Sequence, residues 1–210
     1  MMDYRLLLYL AVGTFTISTV GFVFSGLLPL IAADTHVTVA HAGLVIAAYS
    51  LAYAVGAPVL SAMFGARERH HLLCGAMAVF VAGNLCAAVS PYLSGIIAAQ
   101  IVMGGAAGLF VSTAQATAVA LVEPHHRARA VSIVFSGTTF AVALGAPLGS
   151  LIASLWGWRA TFICVAVVGV VCVALMWFLL PRGMRGSRLP LGERLAAIGR
   201  PGIPSSLLVT

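Results

Sequence analysis

From His70 to Val122 the chain reads HHLLCGAMAVFVAGNLCAAVSPYLSGIIAAQIVMGGAAGLFVSTAQATAVALV, without a single Asp, Glu, Lys or Arg. A bilayer core about 30 Å thick is crossed by roughly 20 apolar helical residues. The stretch is long enough for two crossings, and Ser90-Pro91 supplies the turn between them. Working outward, residues 6–33, 35–66, 130–158 and 160–181 are equally free of charge. The whole chain is 61% hydrophobic and 8% charged, against roughly 25% charged in an ordinary soluble domain. No water-soluble core hides that much apolar surface in 210 residues. Lipid offers the backbone no hydrogen bonds, so each crossing must be a helix or a strand of a closed barrel. The two-residue alternation of a membrane barrel is absent, and an all-α membrane bundle follows.

The net charge of +6 comes from eleven basic residues, all Arg. They sit in short loops or near the ends, so they suit anionic lipid and topology rather than a nucleic-acid groove. Cys74, Cys86, Cys164 and Cys172 fall inside the apolar stretches without metal-type spacing and read as small packing residues. The first apolar stretch is too long for a cleavable signal, and is expected to be the first span.

Breakers place six spans at about 6–32, 42–64, 72–90, 95–122, 131–154 and 161–180, so residues 1–180 form one bundle. Ten arginines (5, 67, 69, 127, 129, 182, 185, 188, 194 and 200) then fall on one side and Arg159 alone on the other. This bias predicts that both termini face the cytoplasm of a bacterial inner membrane, with Trp156 and Trp158 at the outer interface. Residues 181–200 are expected to be a cytoplasmic linker, and 201–210 the start of a truncated seventh span.

Two segments repeat. Val55-Gly56-Ala57-Pro58-Val59-Leu60-Ser61 in the second span is matched, 89 residues later, by Leu144-Gly145-Ala146-Pro147-Leu148-Gly149-Ser150 in the fifth. Units of three spans enter the membrane in opposite directions, so this is an inverted repeat, with Gly and Pro interrupting matching helices as in secondary transporters. Gly admits close helix approach, while Pro frees a carbonyl and softens the helix.

Taken together, Gly26-Leu27-Leu28-Pro29, Ile31-Ala32-Ala33-Asp34, Ala42-Gly43-Leu44, Gly56-Ala57-Pro58, Arg127-Ala128-Arg129-Ala130, Ser136-Gly137-Thr138-Thr139 and Gly157-Trp158-Arg159 resemble the major facilitator superfamily. The resemblance is closest to its bacterial drug:proton antiporter branch, with its arabinose-efflux and chloramphenicol-export proteins. It covers nearly the whole chain and implies six of the family's twelve helices, as two inverted three-helix repeats. It also implies a partner, either a C-terminal six-helix half or a parallel homodimer. The family's loop after the second span, about G-x-L-A-D-R-x-G-R-R, resembles Ser61 to His70. Arg67 and Arg69 survive there as expected gating residues, or as topology determinants alone, while Gly65 replaces the acid. Gly137, Gly145, Pro147 and Gly149 match the fifth-span glycine/proline pattern that keeps helices tightly packed. Relatives often carry an Arg in the fourth span and an acid in the first; here stand Gln100 and Gly21. No expected span contains a carboxylate or Arg, so this half shows no evident proton carrier.

A solute path needs polar groups facing the bundle interior. Gln100, Gly104, Gly108, Val111 and Gln115 share one face of the fourth span, and Tyr49, Tyr53 and Gly56 share one of the second. Asn84 is the lone amide of the third. Tyr49, Tyr53, Asn84, Gln100 and Gln115 suit an uncharged or amphiphilic organic solute such as a drug or sugar, and equally suit plain interhelical bonding. Glu68-x-His70-His71 and Glu123-x-His125-His126 are expected to be solvated loop residues rather than a metal site, and no cofactor is expected. An intramembrane serine protease would want a His on a later span, and a six-span channel would want Asn-Pro pairs; both are missing. The reading is half of an efflux-type secondary transporter, not an enzyme, with a non-transporting structural or regulatory subunit, or an inactive truncated product, as the alternative.

Overall fold

A computed structural model describes residues 4–184. Within them lie six helices long and apolar enough to span a membrane. They are α1 (Tyr4–Asp34), α2 (Val39–Phe64, a short first turn followed after Gly43 by Leu44–Phe64), α3 (Arg69–Val89), α4 (Leu93–Ala120), α5 (Pro124–Trp156) and α6 (Trp158–Leu179). The expected linker beyond residue 184 and the expected seventh-span start lie outside the described residues.

All six helices begin before the expected span starts, and α1 and α5 also run past the expected ends, whereas α3, α4 and α6 stop one or two residues short of theirs. Polar side chains inside the spans face the same lack of water as the backbone. Thr14, Thr16 and Thr19 donate to the carbonyls of Leu10, Val12 and Phe15, one turn back. Each hydroxyl is thereby satisfied within its own helix.

The packing follows the repeat. α2 lies along α4, and α5 lies along α1; α3 packs on α4 and α6, and α6 returns to α1. Exchanging the first triplet of helices with the second reproduces these pairings, as an inverted repeat requires. Two helix crossings dominate, and glycine lines both. A Cβ on Gly56 would meet Gly105 Cα at 2.7 Å, and one on Gly108 would meet the Tyr53 carbonyl oxygen and the Ala57 nitrogen at 2.8 Å. On the other crossing, a Cβ on Gly137 would strike the Ala11 carbonyl oxygen, and one on Gly145 the Thr19 hydroxyl. Helices in lipid gain no hydrophobic drive to associate, so such close dispersion contact is what holds them. Gly149 packs against Val23 and accepts a hydrogen bond from the Thr161 hydroxyl at its carbonyl, 2.9 Å away.

The two Gly-Ala-Pro motifs differ in how they treat their proline. Pro58 sits inside unbroken α-helix. Pro147 follows a π-turn at Ala141–Gly145, where the Ala146 N–H reaches the Ala141 carbonyl. The wider turn accommodates the proline ring, so of the two motif prolines only Pro147 adjoins an irregularity in its helix.

The interior is filled by Phe24, Phe80, Phe110 and Phe162, all fully buried. The outer surface carries apolar side chains such as Leu51, Val55, Met63 and Phe178. Trp156 is exposed. Trp158 is not: it is 4% exposed, edge-on to Phe162, with the Arg159 guanidinium 4.3 Å from its ring centroid. Gly157 has φ +84°, a backbone that turns the chain sharply into α6 and sends Trp158 inward.

Gly108→Leu and Gly137→Leu are expected to destabilise the bundle by about 1–3 kcal/mol each, because backbone on the partner helix cannot yield. Gly75→Leu, where a Cβ meets nothing within 4 Å, should stay within about 0.5 kcal/mol of wild type. Thermal unfolding in detergent micelles measures all three.

Candidate functional site

A cavity of about 360 Å³ lies among α1, α2, α4 and α5. Ile17, Ser18, Gly21 and Phe22 border it from α1; Tyr49, Ser50 and Tyr53 from α2; Val111 and Gln115 from α4; Phe135 and Thr138 from α5. These residues fall near the middle of their helices, on the side of the arginine-rich end. No charged side chain or histidine is among them.

The sequence places an aromatic pair here by simple periodicity. Tyr49 and Tyr53 are one turn apart on α2, with ring centroids 6.4 Å apart and planes 29° from parallel. Tyr49 is buried against Gly21 of α1 and points its hydroxyl at the Ile17 carbonyl, 3.5 Å away. Tyr53 is partly exposed, and neither its hydroxyl nor the Gln115 amide has a hydrogen-bond partner among the described residues. The Ser18 and Thr138 hydroxyls, 3.1 Å apart, join α1 to α5 across the wall. The arrangement offers two ring faces and a few neutral donors and acceptors, and it places no fixed charge.

Three of the five expected pathway residues, Tyr49, Tyr53 and Gln115, therefore meet at one cavity. Gln100 and Asn84 do not line it. Gln100 shares a helical face with Gln115 but lies 15 residues along α4, about 22 Å of rise, where the bundle is closed. Gln100 is fully buried with both amide atoms unpartnered; Asn84 is fully buried and donates to the Phe80 carbonyl at 2.9 Å. Periodicity places Gln100 and Gln115 on one face and carries no information about depth. Ser18 and Ser50 escaped notice in the sequence because isolated hydroxyls are common in membrane helices, and Thr138 stood out only as part of a family motif.

The two ends of the bundle are tied differently. At the tryptophan end, Arg159 of α6 pairs with Asp34 at the end of α1, and its second nitrogen donates to the Ser90 carbonyl at 3.2 Å. One guanidinium so joins α1, the α3–α4 turn and α6. At the arginine-rich end, Arg69 donates to the Ala116 carbonyl of α4 at 2.7 Å, and Arg67 lies exposed over the Phe64 ring. Glu68 accepts from the Gly183 amide at 2.5 Å and pairs with His71 at 3.1 Å, fastening the α2–α3 loop to the segment after α6. His70, expected in solvent, is fully buried beside the Trp177 ring. Among the described residues, no group of three or more His, Cys, Asp or Glu is placed to hold a metal ion.

Residues 10–208 match the family model described as Major Facilitator Superfamily. The chain belongs to the major facilitator superfamily. It is 35% identical over 204 residues to the inner membrane transport protein YdhP of Escherichia coli K12, covering 97% of this chain and 52% of that protein. It is 33% identical over 204 residues to a chloramphenicol resistance protein of Streptomyces lividans, covering 95% and 52%. Among solved structures, it resembles the proton:xylose symporter XylE with a TM-score of 0.73 at 16% identity, over 84% of this chain and 44% of that one. A peptide transporter POT mutant gives 0.74 at 13% identity, over 98% and 44%. The chain spans about half the length of the curated relatives it matches. Membership places it among membrane transporters rather than enzymes, and its six helices correspond to half of a superfamily fold.

The Gly183 hydrogen bond, with help from His71, holds the Glu68 carboxyl below its ordinary range. A lowered carboxylate pKa means that the tie contributes above the ordinary glutamate value, about 4.3, and is lost as pH falls through the lowered one. Hydrogen-exchange protection at the Gly183 amide should hold steady from neutrality down to about pH 5 and fall only at more acid pH. Glu68→Gln should lose several-fold protection across the whole range.

Proposed function

We propose that this chain forms one six-helix half of an alternating-access transporter that exports a small uncharged or amphiphilic organic solute. The observation that carries this reading is the four-helix cavity, with two stacked tyrosines, a free amide and no ionisable lining. Apolar and aromatic walls with a few neutral polar groups bind organic solutes by stacking and hydrogen bonding, whereas a fixed charge would demand a counter-charge. The mid-helix position agrees with transporters that alternate access around a central site. A relative named for chloramphenicol resistance gives the solute class further support, because chloramphenicol is uncharged and aromatic.

In this reading Arg67 and Arg69 bear on the inner gate, and Gly56, Pro58, Gly137, Gly145, Pro147 and Gly149 keep the helices close while α5 flexes at its π-turn. A second six-helix unit, from a C-terminal half or a second copy, closes the other side of the cavity. The termini face the cytoplasm: reporter fusions after His71 and His125 should report the cytoplasm, and a fusion after Ser90 the outside.

The test is accumulation of labelled uncharged aromatic compounds, chloramphenicol among them, in cells expressing this chain with and without a matching second half. Lower accumulation in the complete pair, with half-maximal export shifted about tenfold by Tyr53→Ala or Gln115→Ala, is the expected outcome. Unchanged accumulation in both would favour a structural or regulatory subunit.

A further inference from the structure

A second concavity, of about 590 Å³, runs along the outer side of α4 between α2 and α3. It is separate from the four-helix cavity and shares no lining residue with it. Its floor is apolar. Gly75 and Val79 of α3 face Ile101 and Val102 of α4 across it, and the two β-branched residues of α4 are each half exposed at 51%. At Gly75 the floor is empty, since a Cβ there would meet no atom within 4 Å.

The groove has charge at one end only. Arg67 and His71 border it at the arginine-rich end, where α3 begins. Arg67 is exposed over Phe64 and has no carboxylate partner among the described residues. Its neighbour Glu68 does not line the groove and is engaged by the Gly183 amide and His71. From His71 to Val79 the helix rises about 12 Å, close to the roughly 15 Å depth of one leaflet's hydrocarbon. A cationic head and an apolar channel one leaflet deep match the shape and charge order of a phospholipid.

We propose that this groove is a binding site for a single anionic phospholipid. Its phosphate sits on the Arg67 guanidinium, which can meet two phosphate oxygens at once. One acyl chain lies over Gly75 and Val79, against Ile101 and Val102. Solute transport plays no part in the inference, so its fate is independent of the export reading.

The test is lipid retention by the purified chain, released from nanodiscs of mixed phosphatidylglycerol and phosphatidylcholine and weighed by native mass spectrometry. Wild type should retain phosphatidylglycerol about fivefold over phosphatidylcholine. Arg67→Gln should abolish that preference, Arg67→Lys should keep it, and Arg129→Gln, which removes a charge elsewhere, should leave it unchanged. Gly75→Phe, which fills the floor without touching the arginine, should lower retention of both lipids. Equal retention of the two lipids by wild type, or a preference that survives Arg67→Gln, overturns the proposal. So does displacement by glycerol phosphate, which would make the site a free-anion site, or a dimer that only Gly75→Phe dissolves, which would assign the groove to a second copy.

Discussion

Close approach of backbones at two helix crossings is the contact on which the rest of this structure depends. Lipid tails are as apolar as the side chains that face them, so burial gives these helices no reason to associate. What remains is dispersion at very short range, and that requires residues without side chains. Gly56, Gly104 and Gly108 bring α2 onto α4, while Gly137, Gly145 and Gly149 bring α5 onto α1. Because the two crossings are equivalent under the internal repeat, the four helices they join enclose a space. The cavity is a by-product of that geometry, and its lining is set by whichever residues lie one helical step away from the glycines.

The same constraint separates the polar groups of the bundle into two kinds. Threonines that donate to their own helix are satisfied without any partner helix, and the Asn84 amide nitrogen is engaged in the same way. Tyr53 and Gln115 present polar atoms to the cavity with no such closure, which leaves them available to a solute. The bundle's fixed charges are kept at its two ends. Arg159 with Asp34 fastens one, and Glu68, His71 and Arg69 fasten the other to α4 and to the segment after α6.

Much of this was legible in the sequence, for reasons that differ by feature. Charge-free runs disclosed six crossings because an ionised side chain in hydrocarbon is so costly. The paired Gly-Ala-Pro segments disclosed the repeat, and helical spacing put Tyr49, Tyr53 and Gln115 on faces that do converge. Depth was not legible: Gln100 shares a helical face with Gln115 and lies far from the cavity that Gln115 lines. Rotation about a chain turn was not legible either: only the positive φ of Gly157 shows why Trp158 is buried while Trp156 is not. The Asp34–Arg159 pair is separated by 125 positions, and no local pattern announces it. His70 read as a loop residue because the start of α3 was expected two residues after the first helical His, where it would have met water.

The central claim is that water and solute reach Gln115 from outside the protein while Gln100, on the same helical face, stays sealed. The most direct measurement is thiol labelling in a chain whose Cys74, Cys86, Cys164 and Cys172 are replaced by Ala, reconstituted in liposomes. Gln115→Cys should react with a water-soluble maleimide, and Gln100→Cys should react at least about tenfold more slowly, in keeping with a site that opens only by disrupting the packed core. Equal labelling at both positions, or labelling of Gln100→Cys alone, would contradict the account.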